Sequence, residues 1–466
     1  MYKSKVIEVF QSFNKTEKIG LRRWVHSPIH NQHKDVSKII DYLLSRRKIT
    51  PTSVQRERVF KHLYPSCDYN RARLNHVLSF SLEVLEEYIR YLMSKKSALN
   101  GYFLLHQYYQ DRNMPYLAKK ALNKAELELS NSPYLNEQYY HNSFLLEQAT
   151  FDWAGTEERQ QQTNLQAIFT DLATFTIIST LRNACTAISH KNLYQINYKV
   201  PFLDAILAEA SSPAYDKDIV VRSYYHSYMA LANPKEENHF KVLKDLLINQ
   251  KVPLAAKELK YICLLAINYC IKRLNTGAET YVQEVFDIYC LGLDRQIWIE
   301  KGHLSHNTFK NIATAALRLK AYDWTNSFIK KYSTKIKISH QKDYTNYVKA
   351  KLFFEQDKFS EALNLLVATD PIDLFIGLAI KTLLLKIYWK LEEYDLLEAH
   401  LDNFSVYLNR KKVLAYHRQI YGNTIAITRK IIYANLNDLI EKEHLRQSII
   451  KTHPLTERPW LLAQIT

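Results

Sequence analysis

Glycine is nearly missing: 8 in 466 residues, where ordinary proteins carry roughly 7%. Glycine is the residue that takes positive φ freely and lets a backbone approach a ligand closely. Its scarcity argues against a β-sandwich or a doubly wound sheet. No two of the glycines lie within six residues of each other. That excludes both the G-x-G-x-x-G fingerprint and the P-loop, whose glycines must cluster to cradle phosphate.

Other absences narrow the field further. There are five cysteines, Cys67, Cys185, Cys263, Cys270 and Cys290, and none form C-x-x-C. Cys263 and Cys270 share one apolar helix face and read as small core residues. An odd count without a framework points to a reducing compartment, hence a cytoplasmic protein. No run of ~18 uncharged apolar residues exists, so no membrane span is expected. The opening "MYKSKVIEVFQSF" lacks the continuous apolar region of a secretory signal. Neither G-x-S-x-G nor H-E-x-x-H occurs, and no Cys sits in a recognisable nucleophile setting. The acid pairs Glu157–Glu158 and Glu392–Glu393 lie in polar helix-start or turn segments and read as solvated. The chain is therefore expected not to be an enzyme, with no catalytic residue, no cofactor and no metal.

What is present is helical. In "DVSKIIDYLL" the apolar residues Val36, Ile39, Ile40, Leu43 and Leu44 fall at i, i+3, i+4, i+7 and i+8, one stripe of a helix. In "RLNHVLSFSLEVLEEYIRYL" a longer stripe runs from Leu74 to Leu92. Thr52 with Gln55 three residues on reads as a capping box for the helix that Pro65 closes. Pro115, Pro133, Pro201, Pro213, Pro234, Pro253 and Pro371 punctuate the rest. No alternating strand pattern bounded by Asn-Gly turns appears. Thirty-three tyrosines and six tryptophans supply bulk for wide helix–helix seams.

Near the carboxyl end three windows repeat at an offset of 35: "AALRLKAYDWTNSFI" from 315, "AKLFFEQDKFSEALN" from 350 and "LKIYWKLEEYDLLEA" from 385. Ala315, Ala350 and Leu385 align, as do Leu319, Phe354 and Trp389. After a polar turn come Trp324, Phe359 and Tyr394, then Ser327, Ala362 and Leu397. A small residue lets the first helix approach the second, and the aromatic wedges the hairpin open. One hairpin cannot bury both faces, so hairpins stack, and a period in this range implies a solenoid. With "AKLFFEQDKFSEALNLL" as its best match, this region, 307–408, resembles the tetratricopeptide (TPR) superfamily. Hairpins from 97 to 300, such as "YFLLHQYYQDRNMPYLAKKALNKAELEL", look similar but degenerate. Leu397 replaces the family's preferred Ala, which implies looser packing in the last repeat.

The resemblance implies an all-α fold: a right-handed α-solenoid of TPR-like hairpins with a small helical N-terminal domain. The expected organisation is a basic helical domain over 1–96, degenerate hairpins over 97–300, TPR-like repeats over 301–408, and capping helices over 409–466. The capping stretch is expected as one helix or a pair hinged near Gly422. In such stacks the first helix of each hairpin lines a concave face. Those positions here are Ile312, Ala316, Leu319 and Lys320; Tyr347, Lys351 and Phe354; and Thr382, Lys386, Trp389 and Lys390. An aromatic and basic surface of that kind suits a peptide or protein partner bearing carboxylates. The expected function is a non-enzymatic interaction scaffold.

Charge suggests an alternative. Residues 1–100 carry 19 Lys and Arg against 9 Asp and Glu, and residues 301–350 carry 10 against 2. A localised basic excess attracts polyanions. The segment "VFKHLYPSCDYNRARLNHVLSFSLEVL" resembles the winged-helix portion of bacterial DNA-binding regulators that also carry a TPR-like domain. The resemblance puts Arg71, Arg73, Asn75 and His76 towards DNA, with Arg22, Arg23, Arg46, Arg47 and Lys48 on phosphates.

Two histidine groups have ligand-like spacing. In "WVHSPIHNQHKDV", Pro28 forbids one helix through His26, His30 and His33. A helix ending near His26, with Asn31 capping the next from Gln32, makes this an interhelical corner, not a zinc site. In "KGHLSHNTF", His303 and His306 precede a helix expected near Thr308, capped by Ser305 or Asn307, and likewise do not read as ligands.

Overall fold

The apolar stripes become helices, and polar turn residues stop them. The computed structural model describes residues 1–157, 163–194, 196–249, 254–369, 371, 373–410 and 415–465. Among these the chain forms 23 α-helices and a single two-stranded hairpin, so the fold is all-α. No helix among them is long and apolar enough to cross a membrane. Pro253, Glu158 and the start of the carboxyl-terminal capping stretch, 411–414, lie outside the described residues. The chain divides into two compact units, Met1–Ala173 and Thr174–Thr466.

The first unit holds α1 (Lys5–Ser12), α2 (Lys15–Val25), α3 (Lys34–Leu44), α4 (Arg56–Leu63), α5 (Arg71–Lys95), α6 (Ala98–Gln110), α7 (Pro115–Ser130), α8 (Glu137–Glu157) and the start of α9 (Leu165–Tyr194). One apolar core joins α1 to α5, through Ile7, Phe10, Leu21, Ile39, Leu43, Phe60, Leu74 and Leu85. A second, smaller core joins α6, α7 and α8 through Leu99, Leu122, Leu129 and Leu146. The capping box sits on α2, not α4. Asn14 accepts from the Glu17 N–H, and the Glu17 carboxylate accepts from the Asn14 N–H, both at 2.9 Å. At the expected box, Thr50 and Ser53 instead tie a turn, with the Thr50 N–H donating to Ser53 Oγ at 2.8 Å. Gln55 becomes the residue before α4 and makes no side-chain cap. Hydroxyls that bond their own backbone compete with helix starts, and here they delay one.

The second unit continues with α10 (Leu203–Ala210), α11 (Ile219–Ala232), α12 (Glu237–Asn249), α13 (Ala256–Leu274), α14 (Tyr281–Asp294), β1 (Ile299–Glu300), β2 (His303–Leu304) and α15 (His306–Arg318). Then follow α16 (Tyr322–Tyr332), α17 (Ile338–Glu355), α18 (Phe359–Val367), α19 (Leu374–Lys390), α20 (Tyr394–Arg410), α21 (Ala415–Tyr433), α22 (Leu439–Lys451) and α23 (Arg458–Ala463). From α11 to α21, consecutive helices pack on one another, while α11 also meets α13, α15 meets α17, and α17 meets α19. This pattern is compatible with a helical repeat. The β1–β2 hairpin turns through Lys301 and Gly302, both at positive φ (49° and 81°). Two residues per strand are too few to leave an alternating signature. Helix α21 runs unbroken through Gly422; the chain bends instead after Tyr433, and Asp438 caps α22.

The three carboxyl-terminal hairpins share one turn. The Ala321 N–H donates to Ala316 O, Lys358 N–H to Phe353 O, and Glu393 N–H to Tyr388 O. Each is preceded by a residue in the left-handed region: Lys320 (φ 56°), Asp357 (φ 60°) and Glu392 (φ 60°). These turns correct the repeat register. The second helices open at Tyr322, Phe359 and Tyr394, so Tyr322, not Trp324, is the wedge equivalent. The period is 37 and then 35, with a 3₁₀ turn at Ser333–Lys335 inside the longer interval. In the corrected register Ala313, Ala350 and Leu385 align and are buried, as are Thr325, Ala362 and Leu397. Ser327 is exposed. The same turn closes α6 on α7, where Asn113 has φ 53° and the Met114 N–H donates to Tyr109 O.

A non-glycine residue in the left-handed region pays roughly 1 kcal/mol that glycine does not. Lys320 and Glu392 are exposed. Lys320→Gly and Glu392→Gly should each raise unfolding stability by about 0.5–1 kcal/mol, read as an upward shift in the urea midpoint. An unchanged or lower midpoint in both would count against this turn geometry.

Candidate ligand groove

Four of the positions on the expected concave face converge. On α17, Tyr347 and Lys351 stand one turn apart; on α19, Thr382 and Lys386 do the same. They line a cavity of about 190 Å³ together with Leu383, Tyr421 of α21, Thr456 and Glu457. Spacing of four on a helix places side chains in line on one face, so two neighbouring helices present two rows of one hydroxyl-bearing residue and one lysine each.

The acid in this cavity is Glu457. It belongs to the short segment before α23 and is held at φ 55°. Lys386 Nζ donates to the Glu457 carboxylate. Trp460, three residues on, meets Trp389 edge-to-face at 5.8 Å, and Lys386 lies over its ring at 5.7 Å. Burial works against the ionised form of Glu457, but Lys386, with Lys351 and Arg318 behind it, outweighs burial and holds the carboxyl below its usual range. Among the described residues no carboxylate lies within ion-pair distance (4 Å) of the Lys351 ammonium. Burial pushes its ammonium down to about 8; Glu457 pulls it up, and Lys386 pushes it down again. The cavity is therefore a site where two ammoniums face one carboxylate beneath aromatic rings.

The other groove positions lie elsewhere. Ile312 and Ala316 are fully buried. Phe354 packs on Phe359 at 5.4 Å, closing its own hairpin. Lys320 is spent on a turn, and Lys390 is the exposed last residue of α19. The residues that sequence reasoning did not find are Tyr421, Thr456 and Glu457. They come from beyond the repeats, where no periodicity points to the groove.

Several of the cations in the basic first unit have partners within it. Arg73 stacks on Tyr64 at 3.7 Å and Arg46 on Tyr42 at 4.3 Å. Arg22 pairs with Asp41 at 3.6 Å, and Asn75 accepts from Arg56 at 2.8 Å. His76 packs edge-to-face on Phe80 at 4.7 Å. Arg23, Arg47, Lys48 and Arg71 are exposed. Among the described residues of this unit no strand follows α5; the chain enters α6 instead.

The histidines of "WVHSPIHNQHKDV" are separated by their partners. His26 caps the end of α2 and pairs with Asp41 at 2.8 Å. His30 stacks on Trp24 at 3.5 Å, and His33 stacks on Phe80 at 4.1 Å. Helix α3 starts at Lys34, two residues later than expected. Asn31 does not cap it: its amide donates to Val25 O, His33 O and Ser37 Oγ, pinning the corner. His303 lies in β2 and approaches Lys335 O at 3.3 Å, while His306 is the first residue of α15, ahead of the expected start. Among the described residues no group of three or more His, Cys, Asp or Glu is placed to hold a metal. Cys185, Cys263 and Cys270 are buried free thiols. Burial raises all three, with Cys263 pushed up to about 12. No family model matches the chain, and no curated protein or solved structure matches it significantly.

Proposed function

We propose that the carboxyl-terminal repeats form a TPR-like, right-handed scaffold that holds a carboxylate-bearing peptide segment of a protein partner against α17 and α19. The observation that carries this reading is the seat of Glu457: a carboxylate with a tryptophan three residues on, held by Lys386 and Trp389, with Lys351 lining the same cavity. The chain's own segment occupies the place of the partner and must move aside for it. Binding energy comes from aromatic burial and charge pairing, and no bond is made or broken.

DNA binding through the basic amino-terminal domain is the competing reading. It needs a wing after α5 and free arginines on α5, and it has less support: α6 follows, and Arg73 is stacked on Tyr64.

The test uses fluorescent peptides with a Glu-x-x-Trp spacing. Glu457→Ala should bind them at least tenfold more tightly than the unaltered chain, because the internal competitor is gone. Adding Lys351→Glu should abolish the gain. Equal affinity in all three proteins would refute the reading.

A further inference from the structure

A second cavity in the same unit lies where β1–β2 meets the first turns of three helices. It measures about 730 Å³, within the range of small-molecule sites. Ala256, Lys257 and Lys260 reach it from the start of α13, Ser305 and His306 from the start of α15, and Lys337 and His340 from the start of α17. At all three helix starts the residue before the helix makes no side-chain cap: Ala255, Ser305 and Lys337. Neither α15 nor α17 has an acid in its first turn. Uncapped N–H groups and the positive dipole end favour an anion at the starts of α15 and α17, whereas the first turn of α13 already holds Glu258.

The side chains carry the same sign. Lys257, Lys260, Lys301 and Lys337 line the cavity, and Glu300 is the one carboxylate among the lining residues. Glu300 is taken up by Lys260 at 2.5 Å, which leaves three ammoniums without a lining acid. His306 and His340 stack at 4.2 Å, and the Nδ1 of His340 is buried with no hydrogen-bond partner among the described residues. A buried ring nitrogen without a partner is costly unless a ligand supplies one. Trp298 and Ile299 add an apolar wall.

We infer that this cavity binds a small phosphorylated molecule carrying at least two negative charges, through Lys257, Lys301, Lys337 and the starts of α15 and α17. A single carboxylate would leave most of that charge unmatched. A phosphate chain or ester matches it, and the cavity is too small for a macromolecule. The site is separate from the groove around Lys351 and stands independently of it.

Isothermal titration with inorganic pyrophosphate at low salt tests this. Lys257 and Lys337 are exposed, so Lys257→Glu with Lys337→Glu should leave the fold intact and weaken pyrophosphate binding at least tenfold. Lys330→Glu with Lys331→Glu on α16, an equal charge change elsewhere, should bind as the unaltered chain does. Should the glutamate pair unfold the protein, Lys257→Gln with Lys337→Gln makes the same comparison, and a loss of threefold or more is expected. No measurable binding by the unaltered chain, or equal losses in the site and control pairs, would overturn the assignment.

Discussion

Gly292→Ala should destabilise the chain by roughly 3 kcal/mol. Gly292 sits near the end of α14, and a methyl placed on it lies 2.1 Å from Trp298 Nε1 and 2.3 Å from Cε2. The indole is held in place. It is 2% exposed, donates to Tyr289 O at 2.9 Å and packs against the Tyr289 ring at 5.6 Å. Either the ring is squeezed, at about 1–3 kcal/mol, or it is expelled, at about 3–5 kcal/mol. Gly422→Ala is the control, because it makes the same change in a helix of the same unit with nothing within 4 Å. There the methyl removes backbone freedom from the unfolded chain and should stabilise by about 0.5–1 kcal/mol. Urea midpoints moving in opposite directions for the two variants are the expected result. A Gly292→Ala midpoint within error of the parent would mean that Trp298 does not pack there.

Gly292 also illustrates what a sequence conceals. Helical class, the long α5 stripe and the hairpin character of 307–408 were all legible, because periodicity and burial are the same physics in helices that pack on one side. The register of the repeat was not. A fixed offset matched Trp324 to Phe359, since Tyr322 and Trp324 are both aromatic and both follow a polar turn. The structural match is carried by Thr325, Ala362 and Leu397, three buried residues of unlike chemistry at one crossing. The turn is carried by left-handed φ at Lys320, Asp357 and Glu392, residues whose type gives no hint of it. Likewise, Lys351 and Lys386 could be placed on a shared face by their spacing. Their acid could not, because Glu457 reaches them from 71 positions beyond Lys386 and nothing local marks the return.

Glu457→Gln should cost about 2 kcal/mol at pH 7. Removing one member of a buried ion pair costs about 3–5 kcal/mol, because the other charge is left uncompensated. The Glu457 side chain keeps 34% of its exposure, so water screens part of that loss. What remains is Lys351 facing Lys386 with no carboxylate between them. Lys386→Met in the same background removes one of the two and should recover most of the loss; a double-mutant cycle isolates the coupling. The pH dependence separates this electrostatic account from a packing defect. The folded pKa of Glu457 is depressed, so its contribution is present above the unfolded carboxyl value and fades as pH falls through the folded one. Lys351 is depressed to about 8 from an ordinary ammonium near 10.4. Between those values the unfolded chain holds a proton that the folded chain has released, so stability rises with pH there. Glu457 matters most while Lys351 is charged. The gap between parent and Glu457→Gln should therefore be widest near neutrality and shrink both in acid and above about pH 9. Urea midpoints from pH 3 to 10 would trace that curve. A gap of constant size across the range would leave the two lysines and their acid without the role assigned to them.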